Sequence, residues 1–177
     1  MVYTCKYKSP LGDILLAADE IGLTGLWFEG QKYFANTLPD EHILRETEIL
    51  AEAKKWLDVY FSGEEPKVTP PLHPTGSTFR QAVWQILLQI LYGQTITYGE
   101  IASKMAEIKN TSRMSAQAVG GAVGHNEISI IIPCHRVVGT NGSLTGYAGG
   151  IDKKISLLEL ERADMSHLFV PKKGTAL

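Results

Sequence analysis

The stretch Thr97–Gly124, TYGEIASKMAEIKNTSRMSAQAVGGAVG, decides how the carboxyl-terminal half of the chain is built. Thr97 and Glu100 fit the S/T-x-x-E capping box, in which a hydroxyl and a carboxylate satisfy the open amides of a first helical turn, so a helix is expected from Tyr98. The polar run KNTSR breaks the periodicity. MSAQAVGGAVGHN, rich in Ala and Gly, then predicts a second helix of about ten residues, from Ser115 to Gly124. Two short helices joined by a turn outline a helix-turn-helix, although the turn is longer than usual and the same pattern suits an ordinary helical hairpin.

Upstream, FRQAVWQILLQIL places Phe79, Val83, Leu87, Ile90 and Leu91 on one helical face, with Gly93 as the stop and Trp84 in the core. Before it, GEEPKVTPPLHPTGS carries Pro66, Pro70, Pro71 and Pro74 and reads as an extended connection. The boundaries drawn are an amino-terminal α/β domain over 1–74, a second domain over 75–167 and a tail over 168–177. In the first, VYTCKYK, DILLAAD and LTGLWFE are separated by turn signals and predict three short antiparallel strands. A helix from about Asp40 to Phe61, with Ile43, Leu50, Leu57 and Tyr60 inward, would cover the sheet.

Downstream of the two central helices, ISIII (Ile128–Ile132) reads as a buried extended segment that Pro133 terminates. GTNGSLTGYAGG is a Gly-rich loop, and IDKKISLLELE closes the domain as a helix with Ile151, Ile155 and Leu158 inward. The expected class is α+β: a small amino-terminal antiparallel sheet with a helix, then a mainly helical, winged-helix-like domain containing the helix-turn-helix.

With 177 residues, 44% of them hydrophobic, the chain can bury real cores, so a disordered chain is excluded. No run approaches a membrane span, and Lys6 and Lys8 stand where a secretory signal needs apolar residues, so a soluble, cytoplasmic protein without a membrane partner is expected. In that compartment Cys5 and Cys134 are expected as thiols rather than a disulfide. No Cys or His pair has the close spacing of a zinc site. The net charge of −2 divides unevenly: residues 1–74 hold 7 Lys+Arg against 12 Asp+Glu, and residues 75–177 hold 10 against 7. An anionic partner therefore suits the second half better, although so small an excess also fits ordinary variation.

IIIPCHRVVG, Ile130–Gly139, sets one of the two cysteines between a proline and a histidine. An unperturbed thiol, with a pKa of about 8.5, is only a few per cent thiolate at neutral pH, so nucleophilic use requires a base or a positive field nearby. His135 is adjacent in sequence, but its ring reaches the sulfur only if the turn imposed by Pro133 brings them together. The alternative is a cysteine serving as a small core hydrophobe.

The string PCHRV, with GHN upstream and GYAGG downstream, resembles the active site of the 6-O-alkylguanine-DNA alkyltransferases, also called methylated-DNA–protein-cysteine methyltransferases. The resemblance runs from Phe79 to Glu161 through six blocks in family order: FRQAVW, ITYGEIA, AVGGAVGHN, IIIPCHRVVG, GYAGG and LLELE. It implies direct repair: an alkylated guanine is rotated out of duplex DNA and Cys134 takes the alkyl group irreversibly, once per molecule. By the same resemblance His135 is the base, acting through a water; Glu161 orients it; Asn126 braces the hinge before the active-site segment; and Tyr98 bonds the purine as charge develops. Val137 and Tyr147 line the base slot, with Ala148 and Gly149 of the Gly-rich loop at the purine edge.

The resemblance also sends the second helix into the minor groove, where Ala116, Gly120 and Gly121 permit close approach. The same residues would equally allow close packing inside a protein. Many members carry an arginine where this chain has Gln117, which keeps hydrogen-bonding capacity but loses charge and stacking. Lys104, Lys109, Arg113 and Arg136 are expected at phosphates, and four such contacts give a log-log salt slope of about −3.6. The expected species is a monomer on double-stranded DNA containing alkylated guanine, without cofactor or metal. Two other readings remain: a damage-recognition protein on this scaffold that does not transfer, and an unrelated Cys-His hydrolase.

Overall fold

The structure, a computed structural model, describes residues 1–172. The described residues form two compact units, Met1–Thr75 with Glu127–Ile131, and Gly76–Asn126 with the chain from Ile132 onward. Residues 173–177 of the expected tail lie outside the described residues.

The first unit is a four-stranded sheet in the order β3-β2-β1-β4. β1 (Tyr3–Ser9) and β2 (Gly12–Ala18) are antiparallel through a two-residue turn, and β3 (Leu23–Phe28) is antiparallel to β2. Gly12, with φ +120°, supplies the left-handed residue that the first turn needs. At the second, Asp19 Oδ1 accepts from the amides of Ile21 and Gly22 at 2.9 and 3.0 Å, an Asx turn.

The expected helix from Asp40 begins later. Residues 43–44 instead form β4 (Ile43–Leu44), parallel to β1, and α1 spans Glu48–Phe61 behind the N-cap of Thr47. Ile43 is therefore a half-exposed strand residue, whereas Leu50, Ala53, Leu57 and Tyr60 recur at helical spacing and are fully buried. Leu50 and Leu57 each contribute about 2 kcal/mol by burial, and Ala53 less than half of that. The Pro-rich connection runs along β3: Leu23 N donates to Pro71 O at 2.8 Å, and His73 N donates to Leu23 O at 2.7 Å.

In the second unit α2 (Thr78–Leu87) packs on α3 (Tyr98–Ile108) and α4 (Ala116–Gly124). Ser77, Thr97 and Ser115 cap the three helices, each cap being worth about 1 kcal/mol, and the capping box of Thr97 and Glu100 is formed in full. Trp84 is buried as expected and donates Nε1–H to Ala122 O at 2.9 Å, fastening α2 to α4. α2 stops short of the expected run to Leu91, which is 72% exposed, because tight turns replace the helix from Leu88 onward. The connection between α3 and α4 occupies residues 109–115.

Ile128–Ile132 is buried but not extended. Ile130 has φ +70°, and Ile131 N donates to Ser129 O at 2.8 Å, closing a γ-turn. β5 (Ile96–Thr97) pairs in parallel with β6 (Val137–Val138), and α5 (Ile151–Leu160) follows the Gly-rich loop. Leu168 and Phe169, which the sequence assigns to the tail, belong to this unit: Leu168 packs near Val138, Leu144 and Leu158, and Phe169 N donates to Gly142 O at 3.0 Å. Among the described residues no helix is long and apolar enough to cross a membrane.

Candidate functional site

Pro133 ends the buried segment, and Cys134 opens a single 3-10 turn, Cys134–Arg136, that leads into β6. Cys134 N donates to Ile132 O at 2.8 Å, and Asn126 Nδ2 donates to the same carbonyl at 2.7 Å. One acceptor thus ties the hinge asparagine to the residue that precedes Pro133. Cys134 is 5% exposed and His135 fully buried.

His135 Nε2 lies 2.6 Å from Glu161 Oε2, the carboxylate coming from the C-cap of α5. Arg136 grips the same group with a fork, Nε to Oε1 at 2.7 Å and Nη2 to Oε2 at 3.1 Å, while Nη1 donates to Ile90 O at 2.7 Å. Gly93 N adds a fourth donor to Glu161 Oε1 at 3.1 Å. A Cβ on Gly93 would stand 3.0 Å from Glu161 O, so a glycine allows this approach. Burial alone would raise the Glu161 carboxyl, but His135 and Arg136 overcome it and hold the group well below the usual carboxylate range. An ionised carboxylate only accepts, so Nε2 carries the ring hydrogen and Nδ1 is the basic nitrogen of His135.

Burial lowers His135 more than Glu161 raises it, so the imidazole is neutral at rest. Burial likewise pushes the Cys134 thiol up, and the Asn126 side-chain hydrogen bond, the Lys154 charge and the backbone of Cys134 and His135 oppose it only in part. The resting pair is therefore thiol and neutral imidazole.

Sequence reasoning passed over Lys154, a buried lysine on α5. Its Nζ donates to Val137 O and, at 2.9 Å, to Thr145 O, joining β6 to the Gly-rich loop. Burial lowers Lys154 to about 8 against the opposing attraction of Cys134. A signal was available: Lys154 is three residues after Ile151 and four before Leu158, on the face read as inward. Tyr98 OH reaches Thr145 O and Gly146 O, each at 3.3 Å, and burial with the Cys134 charge pushes its hydroxyl up, keeping it a donor.

Val137 is fully buried, and Tyr147 meets the His135 ring edge-on at a centroid distance of 6.4 Å. Gly149 is more than a turn residue, because a Cβ there would come within 2.7 Å of the Tyr147 ring; neighbouring Ala148 is half-buried.

On α4, Ala116, Gln117, Ala118 and Gly121 are exposed and make a narrow face of small residues around one amide. Gly120 departs from the expectation of a DNA contact: it lies on the inner face with Val119 and Val123 and is buried. Lys104, Lys109 and Arg113 are exposed. Arg136 also departs from the expected phosphate contact, since it is 8% exposed and its guanidinium is committed to Glu161 and Ile90.

Residues 78–163 match the family described as 6-O-methylguanine DNA methyltransferase, DNA binding domain, and residues 1–74 match its ribonuclease-like domain. The chain is 45% identical over 161 residues to a methylated-DNA–protein-cysteine methyltransferase of Methanosarcina acetivorans, covering 90% of this chain and 98% of that relative. A protein of the same name from Haemophilus influenzae is 41% identical over 162 residues, 91% of this chain and 87% of its own. Among solved structures, Mycobacterium tuberculosis O6-methylguanine methyltransferase aligns with a TM-score of 0.75 at 39% identity, over 98% of this chain and 97% of that one. Mycobacterium tuberculosis OGT in complex with DNA aligns with a TM-score of 0.76 at 40% identity, over 94% of each chain.

Proposed function

Because the chain belongs to the 6-O-methylguanine DNA methyltransferase family, we propose that it repairs duplex DNA by moving a methyl or other alkyl group from the 6-oxygen of guanine to the sulfur of its own Cys134. The observation that carries this reading is the buried His135–Glu161 pair directly after buried Cys134, in which a neutral imidazole is held at 2.6 Å by a carboxylate kept ionised.

The thiol proton passes to Nδ1 of His135 through a water, and Glu161 stabilises the imidazolium across the Nε2 bond. The sulfur attacks the alkyl carbon, the carbon–sulfur bond forms as the bond from carbon to O6 breaks, and the electron pair stays on the guanine. Tyr98, whose present bonds at 3.3 Å are long, is placed to donate to the purine as that charge develops. Lys154 stabilises the sulfur anion while it exists and holds the strand and loop on either side of it. The thioether is not hydrolysed, so each molecule acts once.

Exposed Gln117 and the small residues Ala116, Ala118 and Gly121 enter the minor groove, and Gln117 takes the place of the extruded base. Extrusion costs a few kcal/mol and least where pairing is weakened, which favours alkylated guanine over normal guanine. The protein acts as a monomer without cofactor. The test is stoichiometry: with duplex carrying O6-methylguanine in excess, methyl transfer should rise to one per protein molecule and stop. Continued turnover would instead favour a Cys-His hydrolase or another catalytic chemistry.

A further inference from the structure

Glu127 is a buried carboxylate that the transfer chemistry does not use. It stands beside Asn126, yet Glu127–Ile131 packs with the amino-terminal unit. Within that unit Leu26 N donates to Glu127 O at 2.9 Å, Ser129 N donates to Leu26 O at 3.0 Å, and Ile128 forms a bridge with Leu26. The Glu127 side chain, 2% exposed, accepts at Oε2 from Trp27 Nε1 at 2.8 Å and from Thr37 Oγ1 at 3.3 Å. The Trp27 ring packs against Gly25, where a Cβ would stand 2.0 Å from it, so only a glycine leaves room for this placement of the indole.

Two features show that the path of this segment is imposed. Ile130 has φ +70°, a conformation that a β-branched residue adopts only when its surroundings over-determine it. The ends of the segment are then closed by the bond from Asn126 Nδ2 to Ile132 O, and Pro133 and Cys134 follow at once.

We propose that Glu127 is a positioning residue for alkyl transfer: its carboxylate, fixed by Trp27 and Thr37, anchors the loop whose far end sets the place of Cys134. Glu127 acts through the backbone that joins it to Cys134. A buried carboxyl suits this task because its bond to an indole N–H is directional, whereas apolar packing would let the segment slide.

The proposal rests on the alkyl-transfer reading, and the wild-type arm reports on that reading separately. Single-turnover transfer from duplex carrying O6-methylguanine is measured at saturating DNA, with DNA affinity and thermal unfolding in parallel, for wild type, Glu127→Gln, Glu127→Ala and Trp27→Phe. A displaced sulfur should cost Glu127→Ala about 10²-fold in the saturated rate with DNA affinity unchanged. Glu127→Gln, which keeps an acceptor oxygen, should restore most of the rate, and Trp27→Phe, which keeps the ring but loses the donor, should be slowed like Glu127→Ala. Should Glu127→Ala fail to fold, Trp27→Phe carries the comparison. Saturated rates equal to wild type in the folded variants would overturn the role of Glu127, as would losses that only follow the unfolded fraction. Absence of transfer in wild type would overturn the alkyl-transfer reading instead.

Discussion

Replacing Glu161 by Gln removes one charge from the centre of the site while preserving its shape. The carboxylate collects four donors: His135 Nε2, two nitrogens of Arg136 and the Gly93 amide. An amide offers one oxygen and one NH2, so two donors lose their acceptor, either His135 Nε2 with Arg136 Nη2 or Arg136 Nε with the Gly93 amide, and a buried guanidinium loses its counter-charge. Breaking a buried ion pair from one side costs about 3–5 kcal/mol, and the surviving hydrogen bonds place this case near 3. For a chain of this size that lowers the melting temperature by about 6–12 °C.

The rate should fall for a separate reason, since the imidazolium formed during transfer is no longer stabilised, and the loss of assisted proton transfer is worth about 10²–10⁴-fold. The assay is single-turnover transfer at a temperature where the variant is fully folded, with DNA affinity measured alongside. The folded-state Glu161 value is depressed, so its stabilisation is present above the unfolded value of about 4.3 and is lost as pH falls; the Gln variant should lack that acid limb. A folded variant that transfers within threefold of wild type would refute the relay.

Lys154→Met should slow transfer more than it weakens DNA binding. Wild-type Lys154, lowered to about 8, takes up its proton less readily than the unfolded chain, so it makes unfolding harder as pH rises from 8 towards 10.5, by up to about 3 kcal/mol. Denaturation at the two ends of that window should show the increment as a difference between wild type and the variant. Gln117→Ala should reduce DNA affinity and repair rate together, and unchanged values of both would remove Gln117 from the extrusion step. With Arg136 buried in the Glu161 fork, only Lys104, Lys109 and Arg113 of the four expected phosphate contacts are exposed, and the log-log salt slope of DNA binding should be about −2.7 instead of −3.6. A slope near zero would place DNA elsewhere.

Local signals were read correctly where the physics is local. The capping box of Thr97 and Glu100 needs only four consecutive residues, and it appears where the sequence puts it. Long-range pairing was not legible in the same way. Ile43 continues the helical spacing of Leu50 and Leu57, yet it lies in a strand because a partner is available on β1, forty residues earlier in the chain. Beyond the early end of α2, the Ile90 carbonyl accepts from Arg136, a partner forty-six residues later in the chain. Ile128–Ile132 has the composition of a core strand, yet it takes a γ-turn and bonds to Leu26, with neighbouring Glu127 on Trp27, pairings that no local pattern reveals.

At the site, the residues alone single out Cys134 with its neighbour His135, and Glu161 enters only through the family resemblance; the environments of two basic residues are not legible in the sequence. Arg136, expected at a phosphate, is the clamp on Glu161, and Lys154, which carries no expectation, is buried with its ammonium on the Val137 and Thr145 carbonyls. Burial of a charge depends on partners, and those partners are backbone carbonyls and a carboxylate distant in sequence.

The most direct measurement is peptide mass analysis after incubation with duplex DNA carrying O6-methylguanine. One added methyl group should appear on the peptide containing Cys134, absent from the Cys134→Ala protein, with none on the Cys5 peptide. An unmodified Cys134 peptide from DNA whose guanine has been restored, or a methyl group on another residue, would contradict transfer to this sulfur.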